Sequence, residues 1–157
     1  MNHRLITASG LAALASLAAA VSTESIKIPH GQDTLVGTVY RPTGFDATKK
    51  YPAVIVTGAW FTIKEQMPSL YARRFAEQGY VAMVFDFRNF GESTGKARNF
   101  EDTKGKTEDI GVASRFFAKQ PYVDANRLAG MAMCASTGYM ANAIVEEIGR
   151  ASGRERV

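Results

Sequence analysis

The residues best suited to chemistry stand together near the end of the chain, in Arg127-Leu-Ala-Gly-Met-Ala-Met-Cys134-Ala-Ser136-Thr-Gly138. The run reads as a buried strand that breaks sharply into a helix, with a thiol at the break. A nucleophile held on such a strained turn needs small residues two before and two after it, so that the backbone can fold past itself. Ala132 and Ser136 meet that need around Cys134. A helix beginning at the same point aims its first free N–H groups at the site, which favours a thiolate and, later, an oxyanion. Cys134 is the candidate nucleophile. Ser136 is the alternative, as the nucleophile of a serine-dependent esterase or peptidase, because Cys134-Ala-Ser136-Thr-Gly138 also has the form small-x-Ser-x-small. Register favours Cys134, since Leu128 to Met133 already makes a strand of ordinary length (about 5–6 residues) and the break belongs directly after it. A lone cysteine is also commonly just a small buried hydrophobe, so the surrounding elements must carry the reading.

Those elements are legible. Pro52-Ala-Val-Ile-Val-Thr-Gly58 and Tyr80-Val-Ala-Met-Val-Phe-Asp86 are short continuous apolar runs bounded by turn residues, as suits parallel strands buried on both faces. Between them Pro68 to Gln78 has helix composition, with Pro in the first turn and Gly79 as the stop. A second helix runs through Ile110, Ala113, Phe116 and Phe117 to a stop at Pro121. Its basic start, Lys104-Gly-Lys106, reads as a solvated loop. Strand, helix, strand, helix, strand predicts an α/β protein with right-handed crossovers. Ser25-Ile-Lys-Ile28 and Thr34 to Tyr40 read as an opening antiparallel pair around the His30 to Asp33 turn.

The stretch Asp86-Phe-Arg-Asn-Phe-Gly-Glu-Ser93 resembles the Asp-x-Arg-Gly-x-Gly-x-Ser that follows the corresponding strand in many α/β-hydrolases. Asn89 replaces the first Gly there, and Asn tolerates the left-handed backbone better than other non-glycine residues. Val123-Asp-Ala-Asn-Arg127 resembles the turn leading into the nucleophile strand of that superfamily, and the nucleophile expected seven positions on from Arg127 is Cys134. A cysteine nucleophile resembles the dienelactone hydrolase branch, whose elbow is Gly-x-Cys-x-Gly-Gly; Ala132 and Ser136 replace its flanking glycines. Thr57-Gly-Ala-Trp60 and Lys64-Glu-Gln-Met67 resemble a group of exported bacterial hydrolases. The resemblance implies acyl transfer through a thioester on Cys134, with an ester, lactone or similar small molecule as substrate. It implies oxyanion donors from the residue after the nucleophile, Ala135, and from the loop after the first parallel strand, Ala59 and then Trp60. Trp60 and Phe61 would line an acyl pocket.

The resemblance also implies a triad acid and a histidine on loops after later strands. Neither is expected within this chain, whose only histidines, His3 and His30, read as ordinary surface residues. The fold expected is therefore an α/β-hydrolase fold with a mostly parallel sheet, flanking helices and the later strands missing. Arg4, the apolar Leu11 to Leu17 and the small residues Ala18 to Ala20 read as a secretory signal over 1–20, too short to span a bilayer. That implies export to the periplasm or beyond, with no stable membrane association after cleavage. Cys134 would then be the sole cysteine in an oxidising compartment, which invites a catalytic role. Glu147 to Val157 resembles one reading frame of a common sequencing-adapter DNA, differing only at Gly153, and reads as a non-native tail. The domain is then 21–146.

The chain's formal charge of +4 falls to about +2 once Arg4 and the tail are set aside, too little for a nucleic-acid partner. No metal-ligand cluster or Gly-x-Gly-x-x-Gly is visible, and no cofactor is expected. Beside the hydrolase stand two other readings. One is a non-catalytic module binding ligands at the C-terminal ends of the strands; the other is a piece of sequence with no function of its own.

Overall fold

In the computed structural model, which describes residues 20–151 and side chains through Glu147, one five-stranded sheet runs through the molecule. The expected leader and His3 lie outside the described residues, apart from Ala20. Strands β1 (Ser22–His30) and β2 (Asp33–Arg41) form an antiparallel hairpin closed by Gly31 and Gln32. Gly31 takes φ +60 in the turn, a conformation that costs glycine no Cβ clash. Strands β3 (Tyr51–Thr57), β4 (Val81–Phe85) and β5 (Val123–Ala132) complete the order β1-β2-β4-β3-β5. β2 pairs antiparallel with β4, whereas β3 pairs parallel with both β4 and β5. Among the described strands β2 alone runs against the others, so the sheet is mixed yet mostly parallel, as expected.

The continuous apolar runs of β3 and β4 follow from burial on both faces. Ala53, Ile55, Val81, Met83 and Phe85 point to one side, where they meet Ile110, Ala113 and Phe117 of α2 (Thr103–Ala118) and Met140 and Ala143 of α3 (Ser136–Ala151). Val54, Val56, Ala82 and Val84 alternate to the other side, against Ala72 and Ala76 of α1 (Met67–Glu77). Side chains alternate faces along a strand, so a strand covered on both sides must be apolar throughout.

Three sequence expectations are corrected. Val123 to Arg127 is not a turn before the strand but lies within β5: the register jumps from Tyr51 opposite Val123 to Ala53 opposite Leu128. The intervening residues bulge out, and the Asp124 carboxylate accepts from Asn126 N at 3.1 Å and Arg127 Nε at 2.7 Å. The basic start of α2 is not a solvated loop. Asp102 caps the helix by accepting from Gly105 N at 3.0 Å. Lys106 is buried, with its Nζ 2.7 Å from Glu101 Oε2 and 4.1 Å from the Phe90 ring centroid. His30 is not an ordinary surface residue either. Its Nε2 is buried 3.1 Å from Asp109 Oδ1 but misaligned for a hydrogen bond. Burial pushes the Asp109 carboxyl up, against the pull of Arg88 and His30.

At the far end, α3 continues past Glu146 to Ala151, and Glu147 pairs with Arg115 of α2. β5 lies at one edge of the described sheet, with Leu128 half-buried and Ala129 and Gly130 exposed.

Candidate active site

The site is built where β5 stops. Ala132 ends the strand, Met133 and Cys134 turn the chain, and α3 begins at Ser136. Cys134 holds φ 56, a left-handed backbone that costs a non-glycine residue about 1–3 kcal/mol and persists only where surrounding structure imposes it. The imposing contacts are local: Thr137 N donates to Cys134 O at 3.1 Å and Gly138 N to Ala135 O at 3.2 Å. The thiol is free and exposed. It therefore stands at the strand–helix break in the conformation expected of a nucleophile elbow.

Ser136, two residues on, has the opposite fate. It is 1% exposed, and its hydroxyl lies 3.1 Å from Thr57 Oγ1, 2.5 Å from Gly58 O, 3.0 Å from Met133 O and 3.3 Å from Met133 N. A hydroxyl has one hydrogen and two acceptor positions, and all three are engaged inside the protein. The structure thus separates the two sequence candidates: one thiol open to solvent, one hydroxyl spent in packing.

These contacts also join the elbow to the loop after β3, although the two are 78 residues apart in sequence. Gly58 has no room for a side chain, since a Cβ would lie 2.1 Å from Thr62 Oγ1 and 2.8 Å from Pro68 Cγ. The next carbonyl, Ala59 O, accepts from Thr62 Oγ1 at 2.8 Å and Thr62 N at 3.2 Å. Among the described residues, the N–H groups of Ala59, Trp60 and Ala135 donate to no partner. Phe61 takes φ 60 at the tip of this loop. Trp60 and Phe61 are largely exposed and stack edge to face, and Phe61 meets Phe90 in the same way.

A buried ion pair anchors the loop from below. Asp86 Oδ1 accepts from Lys64 N at 2.8 Å, and Oδ2 lies 2.9 Å from Lys64 Nζ and accepts from Glu92 N at 3.0 Å. Burial pulls the Lys64 ammonium down, but Glu65, Glu92 and Asp86 together hold it above its ordinary value. Glu65, Asp86 and Glu92 bring carboxylate oxygens within 4.8 Å of one another, a grouping the sequence did not reveal. The cation they surround is Lys64's own. The expected conformation of Asn89 is observed at φ 70.

Sequence reasoning missed the group beside the thiol. Tyr139, one turn into α3, donates to Glu101 Oε1 at 2.8 Å, and Glu101 also pairs with Lys106. Burial, the Glu101 hydrogen bond and charge, and the charge of Cys134 push the Tyr139 phenol up to about 12. Tyr139 had a signal, its place on the elbow's own helix. Glu101 had none, because it reaches the site only through tertiary packing.

His30, the histidine among the described residues, does not complete the site. His30 sits on β1, four strands away from β5, and at about 4.8 Å per strand this is a separation of roughly 19 Å.

Residues 30–149 match the X-Pro dipeptidyl-peptidase (S15 family). Uncharacterized protein YcjY of Escherichia coli (strain K12) is 35% identical over 114 residues, covering 73% of this chain and 37% of that protein. The chain therefore spans little more than a third of that relative's length. The solved structure of the alpha/beta hydrolase GrgF from Penicillium sp. sh18 superposes with a TM-score of 0.71 at 22% identity, covering 78% of this chain and 41% of that one. The dienelactone hydrolase-like promiscuous phosphotriesterase P91 from metagenomic libraries gives 0.64 at 19%, covering 79% and 54%. At such identities the two structures speak for the fold alone, which is the α/β-hydrolase fold expected from the motifs. The sequence motifs had not named the peptidase family that the match identifies. With three-quarters of its length inside that match and its strand–turn–helix thiol in place, the chain belongs to the S15 family of X-Pro dipeptidyl-peptidases, on an α/β-hydrolase fold.

Proposed function

We propose that this chain supplies the nucleophile and the oxyanion donors of a hydrolase acting on a small-molecule ester, lactone or similar acyl bond. One observation carries the reading: Cys134 is exposed in a left-handed elbow at the head of α3, while Ser136 is buried with its hydroxyl fully engaged. Cys134 gives up its proton to water and attacks the carbonyl carbon, its electron pair forming the new S–C bond while the carbonyl pair moves onto oxygen. Collapse expels the leaving group with its bonding pair and leaves a thioester. The Ala135 and Ala59 N–H groups hold the oxyanion, with Trp60 N–H as the next candidate. Trp60 and Phe61 form an apolar wall for the acyl group. Hydrolysis of the thioester needs a base to activate water, and His30 is too distant to serve. No other histidine lies among the described residues, and the chain is expected to acylate once and not to turn over.

The test is ester hydrolysis by the chain extended with its native downstream coding sequence. Iodoacetamide treatment and Cys134→Ala should each abolish activity. Full activity in Cys134→Ala would end the thiol reading. Reversible ligand binding with no covalent adduct would instead favour the non-catalytic module.

A further inference from the structure

We infer that Ser136 is a positioning residue whose buried hydroxyl aims the Ala59 N–H at the reacting carbonyl. The inference rests on the nucleophile reading of Cys134 and goes beyond it by assigning Ser136 a part in transition-state binding.

The hydroxyl's bonding settles its orientation. Thr57 Oγ1, at 3.1 Å, and Met133 N, at 3.3 Å, are its donors. Its single hydrogen is then free for an acceptor, and Gly58 O is the nearer at 2.5 Å, ahead of Met133 O at 3.0 Å. The Gly58 carbonyl belongs to the same peptide unit as the Ala59 N–H. That unit is planar and trans, so its C=O and N–H point in opposite directions. Drawing the carbonyl down onto the buried end of α3 turns the N–H up and away, toward the open side on which the exposed Cys134 stands. The Ala59 N–H has no other partner among the described residues. The peptide has little freedom to turn back, because Gly58 is wedged against Thr62 and Pro68 and Ala59 O is held by Thr62. A donor fixed before the reaction stabilises developing charge without a reorganisation cost. A glycine at position 136 would leave this peptide unanchored, so the hydroxyl adds something that a merely small residue does not.

Two reactions of the same thiol separate positioning from structure. Acylation by p-nitrophenyl acetate proceeds through an oxyanion: the thiol proton goes to buffer, the S–C bond forms, and nitrophenolate departs with its electron pair. Alkylation by iodoacetamide displaces iodide from a saturated carbon and makes no oxyanion. In Ser136→Ala the acylation rate should fall about 10- to 100-fold while alkylation stays within about twofold, since a fully lost oxyanion donor costs 10²–10³. Ser136→Gly, a second deletion of the hydroxyl, should behave the same way and decides the matter if Ser136→Ala does not fold. Ser136→Thr, which keeps the hydroxyl, should stay within about threefold of the parent. Equal losses in both reactions, or no loss of acylation in either deletion, would overturn the assignment. Unchanged acylation in Cys134→Ala would instead bring down the nucleophile reading on which it rests.

Discussion

Cys134 and Ser136, two positions apart in one motif, differ sharply in burial. Both met the small-residue pattern, and register alone favoured the thiol. The structure sets a hydroxyl with no free position against an exposed sulfur. Other polar residues escaped sequence reading because their partners are distant. Lys106 looked like part of a basic loop, yet it lies on the Phe90 ring beside Glu101. His30 looked like a turn residue, yet it faces Asp109 from 79 positions away in sequence. Lys64 has the clearest consequence. Its side chain is 3% exposed and its partner Asp86 0%, and removing one member of a buried pair leaves the other charge uncompensated. We expect Lys64→Met to cost about 3–5 kcal/mol in urea denaturation. The same variant should alter the acid limb. Lys64 holds the Glu92 carboxyl below its ordinary value of about 4.5. A lowered carboxyl contributes stability that is complete above its unfolded value and is lost as pH falls through the folded one. Stability of the parent should therefore decline below about pH 4.5, and Glu92's share of that slope should vanish in Lys64→Met.

At the scale of elements, β3, β4, α1 and α2 were readable because each obeys one local rule. Alternating apolar residues meet two covered faces in the strands, and the stops at Gly79 and Pro121 bound the helices. The start of β5 was not readable. Asp124 satisfies its neighbours' polar groups by itself, which looks like a turn in sequence and is a bulge in the sheet. The mixed character of the sheet was half legible. The hairpin was visible in its alternation, but its docking against β4 depends on tertiary contacts such as Thr38 opposite Val84. The edge position of β5 has a physical consequence. From Leu128 to Met133 the strand carries no charge and no proline, and Ala129 and Gly130 are exposed. Unpaired edges of this kind recruit other chains. The chain as it stands is expected to self-associate, and Ala129→Lys, which puts a charge on that edge, should shift its sedimentation toward monomer. Equal association of the two proteins would show that the edge is not the contact.

For the molecule as a whole, the family match and the elbow bear on different questions. The match over residues 30–149 and the superposition on solved α/β-hydrolases fix the fold and the family. The chemistry rests on the convergence of three parts at one end of the sheet: the turn after β5, the loop after β3, and the Asp86–Lys64 anchor beneath that loop. The proposed nucleophile and oxyanion donors meet in that arrangement, whereas His30 lies roughly 19 Å away across four strands. Incubating the chain with p-nitrophenyl acetate and locating the acetyl group by peptide mass mapping puts the central claim to the most direct test. A single acetyl group on Cys134, absent from Cys134→Ala, is the result predicted. Acetyl on Ser136, or acetylation spread over surface lysines with Cys134 unmodified, would contradict it.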